Sequence, residues 1–192
     1  MTNLDRLRTL LVQRSVKLGE FTLASGATSD YYVDARLTTM CAEGQLLVGQ
    51  VAFDAIQERG LRPTHVGGLT MGADPVALAI AHRSALEGSP IDAFSVRKRV
   101  KDHGTGQRIE GGLPNKGRAV MVEDTMTTGR STLEAVEAVR THGTDIVGVL
   151  TLVNRSATAA AFYEQQGLPL IALFTGQELV EAARDALSAS PS

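Results

Sequence analysis

Apolar and polar residues follow two patterns along the chain, one with helical spacing and one typical of buried strands. Leu4, Leu7, Leu10 and Leu11 are spaced for one face of a helix, with charged residues between them, and predict an amphipathic helix. Near-continuous apolar runs predict strands at 64–69, 91–96, 118–122, 145–153 and 168–174. Helices are predicted between these strands, at about 43–59, from about 75, at 130–141, after 156 and at 176–187.

Several residues mark where the predicted helices begin and end. Gly60 is placed to close the second helix, because glycine is common just past a helix end. Asp74 can cap the next helix, with Pro75 at its first position, and Ser156 can cap the helix that follows the fourth strand. The last residues, 188–192, predict a disordered tail.

Buried strands that alternate with helices are typical of a parallel sheet covered on both faces, so the fold class is α/β. We find neither an internal repeat nor a linker long enough to divide the chain. A length of 192 residues fits one domain, which buries roughly two thirds of the surface of its unfolded chain. We therefore expect a single domain over 1–192.

Composition excludes several classes of function. The 19 lysines and arginines nearly balance 21 acidic residues, so the chain has no general attraction to nucleic acid or to anionic membranes. Cys41 is the only cysteine, which excludes an intramolecular disulfide and weakly favours a reducing compartment. No apolar run reaches membrane-spanning length, and the first helix does not have the pattern of a signal peptide. We expect a cytoplasmic protein that binds neither nucleic acid nor membrane.

Polar residues follow the predicted strands directly. Ligands of an open parallel sheet bind beyond the carboxyl ends of its strands, so these residues are the first candidates for a site. An arginine after a strand is usually only a solvated charge, and an acidic pair before a threonine is often a helix cap. Taken together, however, a glycine-containing loop, cations and carboxylates at one sheet edge favour a ligand-binding site. The candidates are Thr70–Gly72, Arg97, Lys98, Glu123, Asp124, Asn154 and Arg155.

The stretch EDTMTTGRS at 123–131 indicates which ligand the site takes. Backbone amides at a helix start, with the hydroxyls of Thr125, Thr127, Thr128 and Ser131, suit a phosphate dianion, and Gly129 permits close approach of the backbone. Carboxylates accept hydrogen bonds from vicinal sugar hydroxyls. A ribose 5-phosphate therefore fits, with its phosphate at the turn and its hydroxyls at the carboxylate pair.

Two other nucleotide-binding sites fit the sequence poorly. A nucleoside triphosphatase needs the pattern G-x-x-x-x-G-K-[ST], which the chain does not contain, and GGLTMGAD at 67–74 lacks the spacing of a dinucleotide-binding loop.

The hydrophobic run followed by EDTMTTGRS resembles the phosphoribosyl-pyrophosphate (PRPP) signature of type I phosphoribosyltransferases. Two further stretches resemble the orotate branch of that family. GEFTLASGATSDYYVDAR at 19–36 is similar to its N-terminal hood, and RKRVKDHG at 97–104 is similar to its catalytic loop. The resemblance extends from about Gly19 to the helix after Arg155.

This resemblance implies a fold, a reaction and a set of site residues. The fold is a five-stranded parallel core with a small hood, here mainly within 1–40. The reaction joins orotate to PRPP, gives orotidine 5'-monophosphate and pyrophosphate in pyrimidine biosynthesis, and uses Mg²⁺ held mainly through PRPP. Thr127 and Arg155 are implied for orotate, and Lys101, His103 and Asp124 for catalysis. PRPP-binding residues are implied to be Arg97, Lys98, Lys101, His103, Glu123, Asp124, Thr125, Met126, Thr127, Thr128, Gly129, Arg130 and Ser131.

A homodimer is also implied, in which the loop bearing Lys101 and His103 closes over the neighbouring subunit's site. Four of the five residues 97–101 are basic, and Gly104, Gly106, Gly111 and Gly112 suit a mobile lid. A solvated surface loop that acts within its own subunit is the alternative.

Two positions depart from the family pattern. Ala24 and Met71 stand where better-known members have lysines near the pyrophosphate, which leaves more of that charge to Arg97, Lys98 and Lys101. Tyr31 and Tyr32 are adjacent in a predicted hood strand, so at most one of them should face the base.

The alternatives to the orotate function are a purine or uracil phosphoribosyltransferase and a non-catalytic PRPP sensor of the same fold.

Overall fold

The computed structural model describes residues 1–22, 26, 28–98 and 108–189. Its helices are α1 (Asn3–Ser15), α2 (Arg36–Thr39), α3 (Ala42–Glu58), α4 (Ala73–Leu86), α5 (Arg130–His142), α6 (Ala159–Gln165) and α7 (Gly176–Ser188). Its strands are β1 (Val16–Thr22), β2 (Thr28–Val33), β3 (His65–Leu69), β4 (Asp92–Val96), β5 (Ile109–Glu110), β6 (Arg118–Met126), β7 (Asp145–Asn154) and β8 (Leu170–Thr175).

The main sheet has the strand order β5-β4-β3-β6-β7-β8. Strands β4, β3, β6, β7 and β8 run parallel, which confirms the predicted parallel core. The short strand β5 pairs antiparallel with β4 at one edge and was not predicted from the apolar pattern. Strands β1 and β2 form a separate antiparallel hairpin, at the position expected for the hood.

Helices cover both faces of the main sheet. Along β6, Val120 and Val122 belong to one apolar cluster and Ala119 and Met121 to another, because successive side chains of a strand point to opposite faces. The first cluster includes residues of α1, α3, α4 and α7, and the second includes residues of α5 and α6. Every position of β3 is buried, as expected for a central parallel strand.

Two predicted helix caps are wrong. Helix α4 begins after Gly72, without a side-chain cap, and the Asp74 carboxylate instead accepts a hydrogen bond from Ser95 Oγ on the neighbouring strand. Helix α6 begins after Thr158, and Ser156 Oγ accepts from the backbone N–H of Thr158 before the helix starts. In both cases a nearby tertiary or loop partner takes the side chain that the local pattern assigned to the cap.

Two element ends also differ from the prediction. Strand β6 continues past Val122 to Met126, because its backbone keeps pairing with β7 as far as Asn154. Glu123 and Asp124 therefore lie within the strand rather than after it. Helix α7 includes Ser188, so the expected disordered tail is wrong at that residue, and 190–192 lie outside the described residues. Among the helices of the described residues, none is long and apolar enough to cross a membrane.

Candidate active site

A cavity of about 600 Å³ opens at the carboxyl ends of β3, β6 and β7. The hood strand β2 and helix α2 contribute the opposite wall. The residues that line it are Tyr32, Val33, Asp34, Ala35, Arg36, Leu69, Thr70, Met71, Gly72, Lys98, Glu123, Asp124, Thr125, Thr127, Ser131 and Arg155. The edge of the sheet that sequence analysis selected is therefore the edge where this cavity lies.

The two carboxylates of β6 have different surroundings. Glu123 is only 7% exposed, and its Oε2 accepts hydrogen bonds from Thr132 Oγ1 at 2.7 Å and from Ser131 Oγ at 3.2 Å. Asp124 is partly exposed and its Oδ1 accepts a hydrogen bond from the backbone N–H of Thr125 at 2.8 Å. Asp124 is thus the more accessible acceptor, and Glu123 is tied to the start of α5.

Burial determines the protonation of this pair. It raises the pKa of Glu123 to about 7, against the hydrogen bond from Thr132, and the neighbouring Asp124 charge adds to the rise. Burial also raises the pKa of Asp124, while the Thr125 amide and the Arg36 charge oppose the rise. Glu123 therefore holds a proton more strongly than a solvated glutamate does.

The loop after β3 packs directly on the second carboxylate. A Cβ atom at Gly72 would collide with Asp124 Oδ1, so only glycine allows the loop backbone to come this close. The ends of β3 and β6 therefore meet at Asp124, and backbone groups of Thr70–Gly72 lie beside its carboxylate.

The turn between β6 and α5 has the features of an anion site. Gly129 has a φ of 73° and precedes α5, and no side chain caps the helix start. Tyr163 is fully buried, and its hydroxyl donates to the Gly129 carbonyl at 2.8 Å. The Arg130 N–H donates a long 3.5 Å hydrogen bond to Thr128 Oγ1, the N-cap Gly129 has no side chain to offer the later amides of this first turn, and the Tyr163 hydroxyl fixes the turn.

Arg155 and Tyr32 line the cavity, and Tyr31 contacts Arg155. The Arg155 guanidinium lies over the Tyr31 ring, 4.6 Å from its centroid, and Nε donates to the Tyr31 hydroxyl at 3.4 Å. Tyr32 lines the cavity and packs against Phe21, with ring centroids 5.7 Å apart. The adjacent tyrosines therefore have different neighbours, as the strand alternation predicts.

Helix α2 contributes a cation that sequence analysis missed. Arg36 lines the cavity and pairs with Asp34 through Nε at 2.8 Å and Nη2 at 3.0 Å. The spacing of Asp34 and Arg36 was the one available signal, but no strand end or phosphate motif marked it.

The structure brings most of the predicted residues together. Seven of them line the cavity, namely Lys98, Glu123, Asp124, Thr125, Thr127, Ser131 and Arg155. Thr128, Gly129 and Arg130 lie at the turn and the first residue of α5, next to this lining. Met71 lines the cavity too and is 59% exposed.

Other predicted residues lie elsewhere. Arg97 does not line the cavity, and its Nη1 pairs with Glu110 Oε1 on β5 at 3.3 Å. Met126 has its side chain in the core, and its carbonyl accepts from the Arg155 amide, so its side chain is not placed to contact a ligand. Lys101, His103 and Ala24 lie outside the described residues.

Several known orotate phosphoribosyltransferases have sequences similar to this chain. The chain is 46% identical to an orotate phosphoribosyltransferase of Streptomyces avermitilis, over 92% of this chain and 98% of that protein. It is 40% identical to that of Aquifex aeolicus, over 94% of this chain and 99% of that protein. The Mycobacterium tuberculosis orotate phosphoribosyltransferase, solved in complex with PRPP, superposes with a TM-score of 0.78 at 38% identity, covering 93% of this chain and 99% of that one. No protein-family model matches the sequence.

The parallel core, the hairpin beside it and the carboxylate pair before the α5 turn define a type I phosphoribosyltransferase. Within that class, the extent and identity of the match show that the chain belongs to the orotate phosphoribosyltransferase family.

Proposed function

We propose that this protein transfers the 5-phosphoribosyl group of PRPP to orotate, giving orotidine 5'-monophosphate and pyrophosphate in pyrimidine biosynthesis. The observation that carries this function is one cavity that combines the carboxylate pair of β6, the uncapped start of α5 and Arg155. The family membership supports the same reaction. The cytoplasmic location stays a prediction from the sequence.

The phosphate of PRPP fits at the start of α5. The N-cap residue Gly129 has no side chain to cap this helix, the Arg130 amide makes only a long 3.5 Å bond to Thr128 Oγ1, and the positive end of the helix dipole favours a dianion. Thr125 lines the same cavity, and its buried hydroxyl has no hydrogen-bond partner within the described residues. Buried hydroxyls are seldom left unpaired, so a ligand oxygen that bonds to this hydroxyl would remove the free-energy cost of leaving it without a partner.

The ribose hydroxyls fit at Asp124. Its carboxylate is accessible from the cavity, whereas Glu123 already accepts two hydrogen bonds through Oε2. Breaking the bond between C1' and pyrophosphate leaves a sugar with developing positive charge. Asp124 then contributes both ribose positioning and a negative charge near that carbon, and Glu123 fixes the strand end to α5.

Orotate fits on the cavity side of Arg155, which lines the cavity. The guanidinium presents a planar fork suited to a carboxylate, the group that distinguishes orotate from uracil. Stacking on Tyr31 restricts the orientation of that fork. Thr127 lines the same cavity, which supports the role of its hydroxyl as a donor to the base.

The donor set at the cavity fits Mg²⁺. This ion prefers hard oxygen ligands and retains several waters, and the cavity offers the carboxylate of Asp124 beside threonine hydroxyls. No cluster of three or more histidine, cysteine, aspartate or glutamate residues occurs in the described part of the chain. Mg²⁺ would therefore be held mainly through PRPP oxygens near Asp124, where it neutralises charge on the leaving pyrophosphate.

A homodimer with a shared active site is the assembly we propose. Met71 exposes a large apolar side chain at the cavity, and Leu78 and Leu86 expose two more along α4, the helix that follows it. Such exposed apolar groups are typical of protein interfaces. The loop bearing Lys101 and His103 would then close over the partner's cavity, where its cations would meet pyrophosphate.

Subunit mixing tests this assembly. Lys101→Ala and Asp124→Asn should each be nearly inactive alone. After equal mixing with exchange confirmed by native mass spectrometry, half of the dimers are mixed and each has one intact site, so about a quarter of all sites recover. No recovery after confirmed exchange would show that the loop acts within its own subunit or that no shared site forms.

The reaction itself is tested by incubating the purified protein with PRPP, Mg²⁺ and orotate while orotate absorbance is followed. We expect orotate loss that depends on PRPP, and no turnover of uracil, adenine or hypoxanthine. Turnover of one of those bases instead would favour the purine or uracil alternative. PRPP binding without any turnover would favour the non-catalytic sensor.

A further inference from the structure

We propose that Arg36, held by Asp34, is a substrate-contacting residue that binds the pyrophosphate group of PRPP. This inference rests on the proposed function and adds a binding residue on the hood side of the site. It follows from the placement of the cavity's cations, from the geometry of one ion pair and from the direction in which PRPP must extend.

The pyrophosphate group carries negative charge and needs cations beside it, but Arg97 and Met71 do not supply one at the cavity. Among the described residues that line the cavity, the basic side chains are Arg36, Lys98 and Arg155. Arg155 is stacked on Tyr31 at the hood strand, and Arg97 is paired with Glu110 outside the cavity. Met71 leaves the loop after β3 without a cationic side chain. Arg36 and Lys98 are therefore the described cations that remain for the pyrophosphate.

The ion pair of Arg36 and Asp34 orients a guanidinium without using all of it. Nε and Nη2 donate to the two carboxylate oxygens, and Nη1 has no partner among the described residues. The side chains of Arg36 and Asp34 are 45% and 21% exposed, and an ion pair near the surface contributes little to stability, roughly 0 to 1 kcal/mol. Because the pair adds little stability, its role in the cavity wall is to orient Arg36. The Asp34 carboxylate holds the remaining N–H donors of the guanidinium toward a ligand.

The position of Arg36 matches the pyrophosphate end of the substrate. Its charge acts on Asp124, which itself contacts the backbone at Gly72. If the PRPP phosphate lies at α5 and its ribose hydroxyls at Asp124, the pyrophosphate must extend from the other side of the ribose. That side is the loop Thr70–Gly72 together with α2, where Arg36 lies.

The test measures binding of two fragments of the substrate to the full chain by isothermal titration calorimetry. Inorganic pyrophosphate with Mg²⁺ probes one end of the site, and ribose 5-phosphate probes the other. Arg36→Gln should weaken pyrophosphate binding by about 10-fold or more, because a charge-assisted contact is lost, and change ribose 5-phosphate binding less than about twofold. Arg36→Lys should recover part of the loss, since it keeps the charge but not the fork.

Two further variants separate contact from general effects. Arg8→Gln removes a cation of similar exposure on α1, which pairs weakly with Asp5 and does not line the cavity, and should leave both affinities unchanged. Asp34→Asn should weaken pyrophosphate binding less than Arg36→Gln, because the guanidinium remains but loses its orientation. Thermal unfolding of each variant checks that the fold is retained.

Each outcome distinguishes this inference from the function on which it rests. If wild-type protein binds pyrophosphate and Arg36→Gln binds it equally well, Arg36 is no ligand and the proposed function stands. An equal loss for both fragments would indicate a structural role and would also overturn the inference. If the wild-type protein binds neither fragment, the proposed function and the inference both fail.

Discussion

The two walls of the active-site cavity are held in place by different means. On the wall formed by β6 and α5, Glu123 and Tyr163 are buried, and their hydrogen bonds connect the strand end to the helix start. On the wall formed by the hood and α2, Tyr32 is 37% exposed and the Arg36–Asp34 pair lies at the surface. Arg184 and Asp30 also join α7 to the hood through an exposed pair.

Burial makes these bonds unequal in strength. A buried hydrogen bond leaves an unsatisfied group when it is broken, at a cost of roughly 1 to 3 kcal/mol, whereas an exposed ion pair contributes roughly 0 to 1 kcal/mol. We infer that the β6–α5 wall is formed before substrate arrives, and that the hood wall gains much of its order from the ligand. Substitutions on the first wall should then affect folding and binding together, and those on the second should affect binding alone.

The largest effect is expected from removing both charges on the preformed wall. Glu123→Gln with Asp124→Asn should lower kcat/KM by about 10²-fold or more, because ribose positioning and stabilisation of developing positive charge are lost together. Steady-state kinetics with PRPP and orotate measure this loss. Asp124→Asn alone should account for most of it, since Asp124 is the accessible acceptor.

Asp145→Asn is the matched control, because Asp145 is an exposed carboxylate at the opposite end of the neighbouring strand β7. It should leave kcat/KM unchanged. Unaltered kinetics of the double variant would mean that the pair is purely structural and would contradict the role given to this wall.

The next largest effect is expected on the hood wall. Arg155→Ala should raise the KM for orotate by about 10- to 100-fold, since a hydrogen bond to a charged group contributes roughly 1.5 to 3 kcal/mol. The KM for PRPP and the melting temperature should change little, because Arg155 contacts the hood through one half-buried stack on Tyr31 and a long hydrogen bond to its hydroxyl. Arg140→Ala, an exposed arginine on α5 remote from the cavity, is the control. Equal increases in both KM values would argue against the orotate assignment.

The contrast between the walls also explains which features could be predicted from sequence. The five parallel strands and the helices between them follow from apolar periodicity, and the position of the site follows from the rule that ligands bind at carboxyl strand ends. The residues of 123–131 were found because a phosphate site needs backbone amides, hydroxyls and glycine in one short stretch.

The features that could not be predicted from the sequence depend on tertiary contacts. Arg36 lies in a four-residue helix that has no periodicity to reveal it. Tyr163 has the spacing of an ordinary core residue, and its hydroxyl finds Gly129 only in the folded chain. Arg97 pairs with Glu110 because the two-residue strand β5 folds back along β4. No apolar run in the sequence predicts a strand this short.

The pH dependence of stability offers a third test of the preformed wall. Burial raises the pKa of Glu123 from 4.5 to about 7, so the folded protein binds a proton more tightly than the unfolded chain does. The stability from this proton is complete below about pH 4.5 and is lost as pH rises through about 7. The free energy of unfolding of the wild type should therefore fall by roughly 3 kcal/mol on account of Glu123 as the pH rises from below 4.5 to above 7.

Glu123→Gln removes that contribution while keeping an oxygen that accepts from Thr132. Denaturant unfolding between pH 5 and pH 8 should show a flatter profile for this variant, with a stability at pH 8 at least equal to that of the wild type. Glu137→Gln, a substitution on α5 away from the carboxylate pair, should leave the profile unchanged. Parallel profiles for Glu123→Gln and wild type would mean that Glu123 is already ionised in the folded state.

The smallest expected effect compares one hydroxyl on each wall. Tyr163→Phe leaves the Gly129 carbonyl without its buried donor and should lower the free energy of unfolding by about 1 kcal/mol, while raising the KM for PRPP about threefold because the turn is less well fixed. Tyr31→Phe removes a hydroxyl that accepts a long 3.4 Å bond from Arg155, so we expect a stability change below about 0.5 kcal/mol and a small rise in the KM for orotate alone. Urea unfolding and steady-state kinetics on both variants give the four values needed. Equal stability losses at the two positions would contradict the view that one wall is formed by the fold and the other is completed by the ligand.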